Sequence, residues 1–544
     1  VAATTGVVNL SDATPEATGT TAEFTALYAS HNATTSKVGG AGIDALVMTL
    51  DDVGVISAAT IIALNAESTE DIEIADSVTG ISGVFADVDV VLNEVGIKNG
   101  DLTNRTAAGT VLPVTVEVTD AITVEQANSI IEETNGPLTA TISDTDITTL
   151  ITTVNNVDFA GLNNHATTIE PGHVLSVTVD DTTIDPANLN LLDLRTEGTV
   201  TVSSSSTLSA DIGASAAAFN TAFASSGISG LSSIAVTSTA EATVAEVNNI
   251  TAQTTGVVTA TISDNDLTTL AGVTDSGNAL TISVSGDTTT SNSADAAAIN
   301  VLNGKTTVAI TVTAATITGA LSDVETLYEA NTAGTLTGLG NEAVTLSDSG
   351  SILASDLVNL NGKTTGVITL SGAVTINGSV ADIKSVYAAN ASGTINGLGN
   401  EAITISDIAP SSSDVAFIEA LTSGNVTVTL NSTSVTASAL TTLDADSTQA
   451  INASGITSIT GTAAQVNSVY GSTGITGLGD ETITLTDTSI AASTLTTIDG
   501  LTTGNVVATV SSVTGTTAEA NTAYSSGLLQ GTEAVTVSDT TITA

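Results

Sequence analysis

Repetition constrains this chain more than any other feature. Gly338-Leu339-Gly340-Asn341-Glu342 returns as Gly397-Leu398-Gly399-Asn400-Glu401 and as Gly477-Leu478-Gly479-Asp480-Glu481. Each copy leads into a string that alternates apolar and hydroxyl residues and ends in Asp: Val344-Thr345-Leu346-Ser347-Asp348, Ile403-Thr404-Ile405-Ser406-Asp407 and Ile483-Thr484-Leu485-Thr486-Asp487. A period of two marks a strand with one buried face. The phrase also occurs earlier, as Ile142-Ser143-Asp144, Val179-Asp180-Asp181 and Ile262-Ser263-Asp264. After the Asp the spacing becomes helical, as in Ala492-Ser493-Thr494-Leu495-Thr496-Thr497-Ile498, with Ser493 placed to cap the helix. Thr365-Gly366, Ser423-Gly424 and Thr503-Gly504 close their units. Glycine there is expected to supply the left-handed residue that ends a helix. A second unit type alternates with the first, and its helix ends in an aromatic, as in Val380 to Tyr387 and Ala463 to Tyr470. Tyr28, Tyr328 and Tyr524 fill the same slot, as does Phe223, so all five tyrosines share one repeat position. An aromatic used only there reads as a packing element.

Units that pack on their neighbours lead to a solenoid. The expected fold is a repeat solenoid of parallel β-strands with short helices, α/β and leucine-rich-repeat-like, though the consensus spacing of that repeat with its Asn is not present. A right-handed parallel β-helix is the alternative, should the helical segments prove to be turns or extra strands. One elongated solenoid is expected over residues 1–544, with diverged units over 1–306 and regular alternating units over 307–544. It would hold about 18 units of roughly 22–35 residues. Coils stacked at about 4.8 Å would make a rod on the order of 90 Å long. Strands are expected on 344–347, 403–406, 426–430 and 483–486, parallel and in register. Val7-Val8-Asn9-Leu10 begins as an ordinary unit and Ala534-Val535-Thr536-Val537 ends as one. Both ends are therefore expected to continue, into a longer parent chain or head-to-tail into another copy.

Composition narrows the functional classes. Seven Lys and Arg face 57 Asp and Glu among 544 residues, a formal charge of −50. So few cations cannot form the basic stripe that nucleic acid requires, and anionic lipid surfaces are disfavoured for the same reason. Self-repulsion at low ionic strength is expected, relieved by salt. Disorder is the first alternative for an acidic chain with 2% aromatics. It also requires low hydrophobicity, whereas the mean hydropathy is +0.36. With no Trp and one Met, the core must be Val, Ile, Leu and Ala. The absence of Cys fits an exposed or oxidising location without disulfides. No apolar run is long enough to span a bilayer.

The carboxylates are the chief candidates for a site. Equivalent residues of stacked units form columns. Asp348, Asp407 and Asp487, with Glu342, Glu401 and Glu481 beside their strands, would gather carboxylates on one edge. Calcium takes several oxygen ligands of this kind, so these six residues are the candidate calcium ligands. The competing reading is that each Asp makes an Asx-turn or caps the helix that follows. No calcium-roll nonapeptide or EF-hand loop occurs. Catalytic constellations are thin. Of three histidines, His165 and His173 flank Glu170 in one irregular stretch, read as a surface loop, and His31 stands apart. No nucleophile elbow is visible. Gly338-Leu339-Gly340 precedes a strand and lacks a nearby Lys, which makes it a tight turn and not a phosphate loop. Ice binding needs regular Thr-x-Thr ranks on a flat face; Thr427-x-Thr429 and Thr199-x-Thr201 occur, but the ranks are not expected to be kept from coil to coil.

Gly461-Thr462-Ala463-Ala464-Gln465-Val466-Asn467, Gly477 to Leu485, and Leu495-Thr496-Thr497-Ile498-Asp499-Gly500-Leu501-Thr502-Thr503-Gly504 resemble repeats of very large surface proteins of marine cyanobacteria. Some of those proteins form surface layers or serve swimming without flagella. The resemblance covers 338–530 well and the remainder loosely. It implies a secreted surface or filament component and transfers no catalytic residue. The expected function is an extracellular structural repeat protein, not an enzyme, forming a surface layer, filament or matrix at the cell surface. Its expected partners are further copies of itself. Divalent cations and cell-surface glycans stay open as partners. An adhesin stalk, with a distinct tip domain beyond these residues, is one alternative. A solenoid polysaccharide-degrading enzyme is another. It would need long insertions over one face, and 155–173 is the nearest candidate.

Overall fold

A computed structural model describes residues 8–9, 14–33, 38–39, 42–93, 97–99, 114–134, 136–151, 172–407, 410–529 and 531–540. The chain divides into two compact units. The first comprises Val1–Asp264, Gly272–Thr281 and Lys305–Thr307, and the second Asn265–Ala271, Ile282–Gly304 and Val308–Ala544. The architecture within each is a repeating α/β one, parallel sheets alternating with short helices.

In the first unit, one sheet runs Ile228–Ser229, Val200–Val202, Val174–Val179, Leu138–Ile142, Thr115–Ile122, Val78–Gly83 and Gly54–Ser57. In the second, one sheet orders Ser293–Asp295, Thr316–Gly319, Ala343–Leu346, Ile368–Leu370 and Ile395–Asn396. Its register joins Ile317 to Val344, Val344 to Ile368 and Ile368 to Ile395. Each inward position thus falls on the inward position of the next unit, and these four side chains are fully buried. A slip of one residue would turn every one of them outward, which is why the alternating strings fix the register.

The expected strands lie at Ala343–Leu346, Ala402–Asp407, Val426–Leu430 and Thr482–Leu485. All their pairings are parallel. Ile403 pairs with Val426 directly, whereas Val344 and Ile483 pair with strands of the intervening unit type.

The segments with helical spacing are helices. Leu321–Ala333 buries Leu321, Val324, Leu327 and Tyr328 on one face and stops at Gly334, which is left-handed at φ 82°. Val380–Ser392 buries Ile383, Val386 and Tyr387 and stops in the same way at Gly393. The expected cap at Ser493 is not found. The helix Ala492–Asp499 begins one residue earlier, its N-cap is Ala491, and Ser493 lies inside the first turn. Capping varies among the aromatic-bearing helices: Leu321–Ala333 follows Ala320 with no side-chain cap, and Ser379 caps Val380–Ser392. Thr462 caps Ala463–Gly471 and Thr516 caps Thr517–Ser525, each with a reciprocal bond from the residue at the third helical position, Gln465 or Glu519. This reciprocity satisfies two free N–H groups at once.

The closing glycines work differently from the expectation. Gly366, Gly424 and Gly504 are not among the residues of positive φ. A Cβ on Gly366 would stand 2.0 Å from the Glu342 carbonyl oxygen, and one on Gly504 2.3 Å from that of Glu481. Close approach of two successive units, not a left-handed turn, requires glycine there. The Thr two residues before joins the same contact. Thr364 donates its hydroxyl to Glu342 O at 3.0 Å and accepts the N–H of Gly366 at 2.9 Å, and Thr422 and Thr502 repeat the arrangement on Glu401 and Glu481.

Candidate functional site

The six candidate carboxylates fall into two sets with different surroundings. The Asp that ends each strand reaches back to the preceding helix. Asp348 Oδ2 accepts the N–H of Leu321 at 2.8 Å, Asp487 Oδ2 that of Ala463 at 2.8 Å, and Asp407 Oδ2 that of Val380 at 3.2 Å. In each case the donor is the first residue of the helix. The earlier copies do the same. Asp144 takes the N–H of Val124, Asp181 that of Ile147 and Asp264 that of Val244. A helix N-terminus leaves four N–H groups without an internal partner and carries partial positive charge. Where a helix has its own side-chain cap, as with Thr462 or Ser379, that cap satisfies an N–H deeper in the first turn, and the Asp of the next unit satisfies the first. The expectation that the Asp caps the helix following it is therefore corrected, because the stacking brings the preceding helix to the end of the new strand.

The Glu residues lie inside. Glu342 and Glu401 are almost fully buried and Glu481 is completely so, set apart from the Asp residues with which they were expected to share one edge. Glu342 accepts the Tyr328 hydroxyl and the N–H groups of Gly340 and Asn341, the latter two at 2.7 and 3.0 Å. Glu481 accepts the Tyr470 hydroxyl at 2.5 Å and the Gly479 N–H at 2.9 Å. Glu342 and Glu481 thus each pin the tight turn before their strand to the aromatic of the helix before it. Burying a carboxylate without such donors would be costly. A further copy escaped the sequence reading. Tyr524 donates to Glu533 at 3.2 Å, and Gly531 N–H donates to the same oxygen at 2.8 Å. The signal there was reduced to Gly531-Thr532-Glu533. Tyr28 instead donates to the carbonyl of Ile43 at 3.1 Å.

These surroundings act on the phenols. Burial, with the neighbouring carboxylate second, pushes Tyr328 and Tyr470 well above the usual phenol range, and burial pushes Tyr28 up to about 12. A raised folded value means that the folded chain holds the phenol proton more tightly than the unfolded chain does. That stabilisation is complete below the ordinary phenol value of about 10 and is lost as pH rises through the folded values. Tyrosinate absorbance of the native chain should therefore lag well behind that of the urea-unfolded chain, with alkaline unfolding setting in above about pH 10. Coincident titration curves would contradict the buried Tyr–Glu contact. The chain contains no Trp to obscure the reading.

The other candidates are scattered. Among the described residues, no group of three or more His, Cys, Asp or Glu side chains is placed to hold a metal ion. His173 is buried and accepts the Leu138 N–H on Nδ1 at 3.0 Å, which corrects its reading as a surface-loop residue. His31 Nε2 lies 3.8 Å from an Asp44 carboxylate oxygen. His165, Glu170 and most of 155–173 lie outside the described residues. The hydroxyl ranks are kept from coil to coil on several strands, which corrects the expectation that they are not. Thr404 and Ser406 stack on Thr427 and Thr429, Ser434 on Ser458 on Thr482, and Thr436 on Thr460 on Thr484. Variation in unit length hides that alignment until the strands are paired.

No protein-family model and no curated protein matches this chain. No helix among the described residues is long and apolar enough to cross a membrane.

Proposed function

We propose that this chain is a structural repeat protein of the cell exterior, a strand–helix solenoid whose role is to extend and assemble. The observation that carries the reading is the use of the repeated polar residues. The Asp of one unit caps the helix of the unit before, the Glu holds that helix's Tyr, and the Thr hydroxyl bonds a backbone carbonyl of the neighbour. The most regular chemistry of the sequence is directed at the next unit, which is what an extensible array requires. The charge of −50 supports an environment of high ionic strength, where self-repulsion is screened. Calcium at the acidic surface belongs to the same reading as a screening or bridging ion between copies.

Electron microscopy of the native material, with mass spectrometry of the intact protein, tests this. Filaments or a lattice built from the chain are the expected result, and a protein that stays monomeric at high concentration would refute it. Thermal unfolding with chelator, at low and at seawater-like ionic strength, tests the cation. The expected result is a lower transition temperature in low salt without divalent ions, and identical melting in all conditions would remove calcium from the proposal.

A further inference from the structure

One Tyr–Glu pair is not closed. Tyr387 occupies the slot of Tyr328 and Tyr470, and Glu401 that of Glu342 and Glu481. Glu401 Oε2 accepts the N–H groups of Gly399 and Asn400 at 2.5 and 3.0 Å. Glu342 Oε2 holds Gly340 and Asn341 in the same way. The other oxygen of Glu401, Oε1, is therefore the counterpart of the one that takes the Tyr328 hydroxyl. Yet Glu401 Oε1 and the Tyr387 hydroxyl both lack a hydrogen-bond partner, although Tyr387 is only 6% and Glu401 5% exposed. Two such groups left bare inside a protein are expensive, and a direct bond between them would have removed the cost.

We propose that one ordered water molecule bridges Tyr387 and Glu401, accepting a hydrogen bond from the phenol and donating one to Glu401 Oε1. A buried water needs two to four polar partners, and this site offers two, a donor in the phenol and an acceptor in Glu401 Oε1. The junction between the helix Val380–Ser392 and the strand Ala402–Asp407 is then a wet joint, where the equivalent junctions at Tyr328 and Tyr470 are closed by a direct bond. A bridged joint opens more readily, because the turn at Gly399 is tied to the helix through a molecule that can exchange.

A high-resolution crystal structure of the 544-residue chain decides the matter. The expected result is a single solvent peak within hydrogen-bonding distance of both oxygens. A direct Tyr387–Glu401 contact, an empty gap, or an ion identified by anomalous scattering would each overturn the proposal. Hydrogen exchange on the same chain gives a second reading. The amides of Gly399 and Asn400 should exchange about tenfold faster than those of Gly340 and Asn341, the ratio expected for the loss of one net hydrogen bond. Equal rates would show this joint to be as closed as its neighbour and would count against the water.

Discussion

Exchange of Gly366 for alanine is expected to destabilise the second unit by about 3 kcal/mol, although the position is only half-buried and its φ is not positive. The added Cβ would stand 2.0 Å from the Glu342 carbonyl oxygen and 2.4 Å from its carbon. Both are backbone atoms, so no side chain can swing aside. The backbone cannot easily retreat either, since Thr365 N–H bonds Gly340 O at 2.9 Å and Thr364 bonds Glu342 O. Urea denaturation followed by circular dichroism would measure the loss, and hydrogen exchange would localise it to the two units in contact. Gly500→Ala is the control. Its nearest atom is 3.5 Å away and its backbone is right-handed, so it should change stability by less than about 1 kcal/mol, in the favourable direction. Similar effects at the two positions would mean that unit-to-unit spacing does not explain the glycine.

Glu481→Ala should be the other severe change, at about 3–4 kcal/mol. Glu481 is completely buried, and its removal strips the acceptor from the Tyr470 hydroxyl and the Gly479 N–H while leaving a gap beneath the turn. Glu481→Gln keeps one accepting oxygen and should lose about half as much, and Tyr470→Phe, which removes only the donor, about 1–2 kcal/mol. The same variants separate the two roles considered for this residue. A lock on Tyr470 gives the same loss with calcium or with chelator. A calcium ligand gives a loss in calcium that disappears on chelation. Equilibrium unfolding of wild type and Glu481→Ala in both conditions distinguishes them, and the geometry leads to equal losses.

Much of the local structure was legible in the sequence because it depends on periods and short phrases. The alternation in Ile403 to Ser406 and Val426 to Leu430 specified strands with one buried face, and the spacing of Ile383, Val386 and Tyr387 specified a helix. The glycine-bounded phrase before each Glu marked a turn, and the tyrosine slot marked a packing position. These features follow from the rise and rotation of one chain segment, so residues a few positions apart suffice to reveal them. What each polar residue bonds depends instead on how far one unit is set over the next. Asp348 lies 27 residues beyond its partner Leu321, and nothing in the local phrase separates capping the helix behind from capping the helix ahead. Gly366 was read as a left-handed residue because a Gly after a helix usually is one. Only the approach of the Glu342 carbonyl shows that lack of a side chain, and not backbone freedom, is what the position needs. The three Glu residues were placed beside their strands correctly, yet whether they faced water or the Tyr of the preceding helix was decided by stacking. Parallel in-register packing sets those contacts: it brings Asp348 to Leu321 across 27 positions, Thr364 to the Glu342 carbonyl across 22 and Glu342 to Tyr328 across 14, and burial there turns an acidic repeat into an internal fastening.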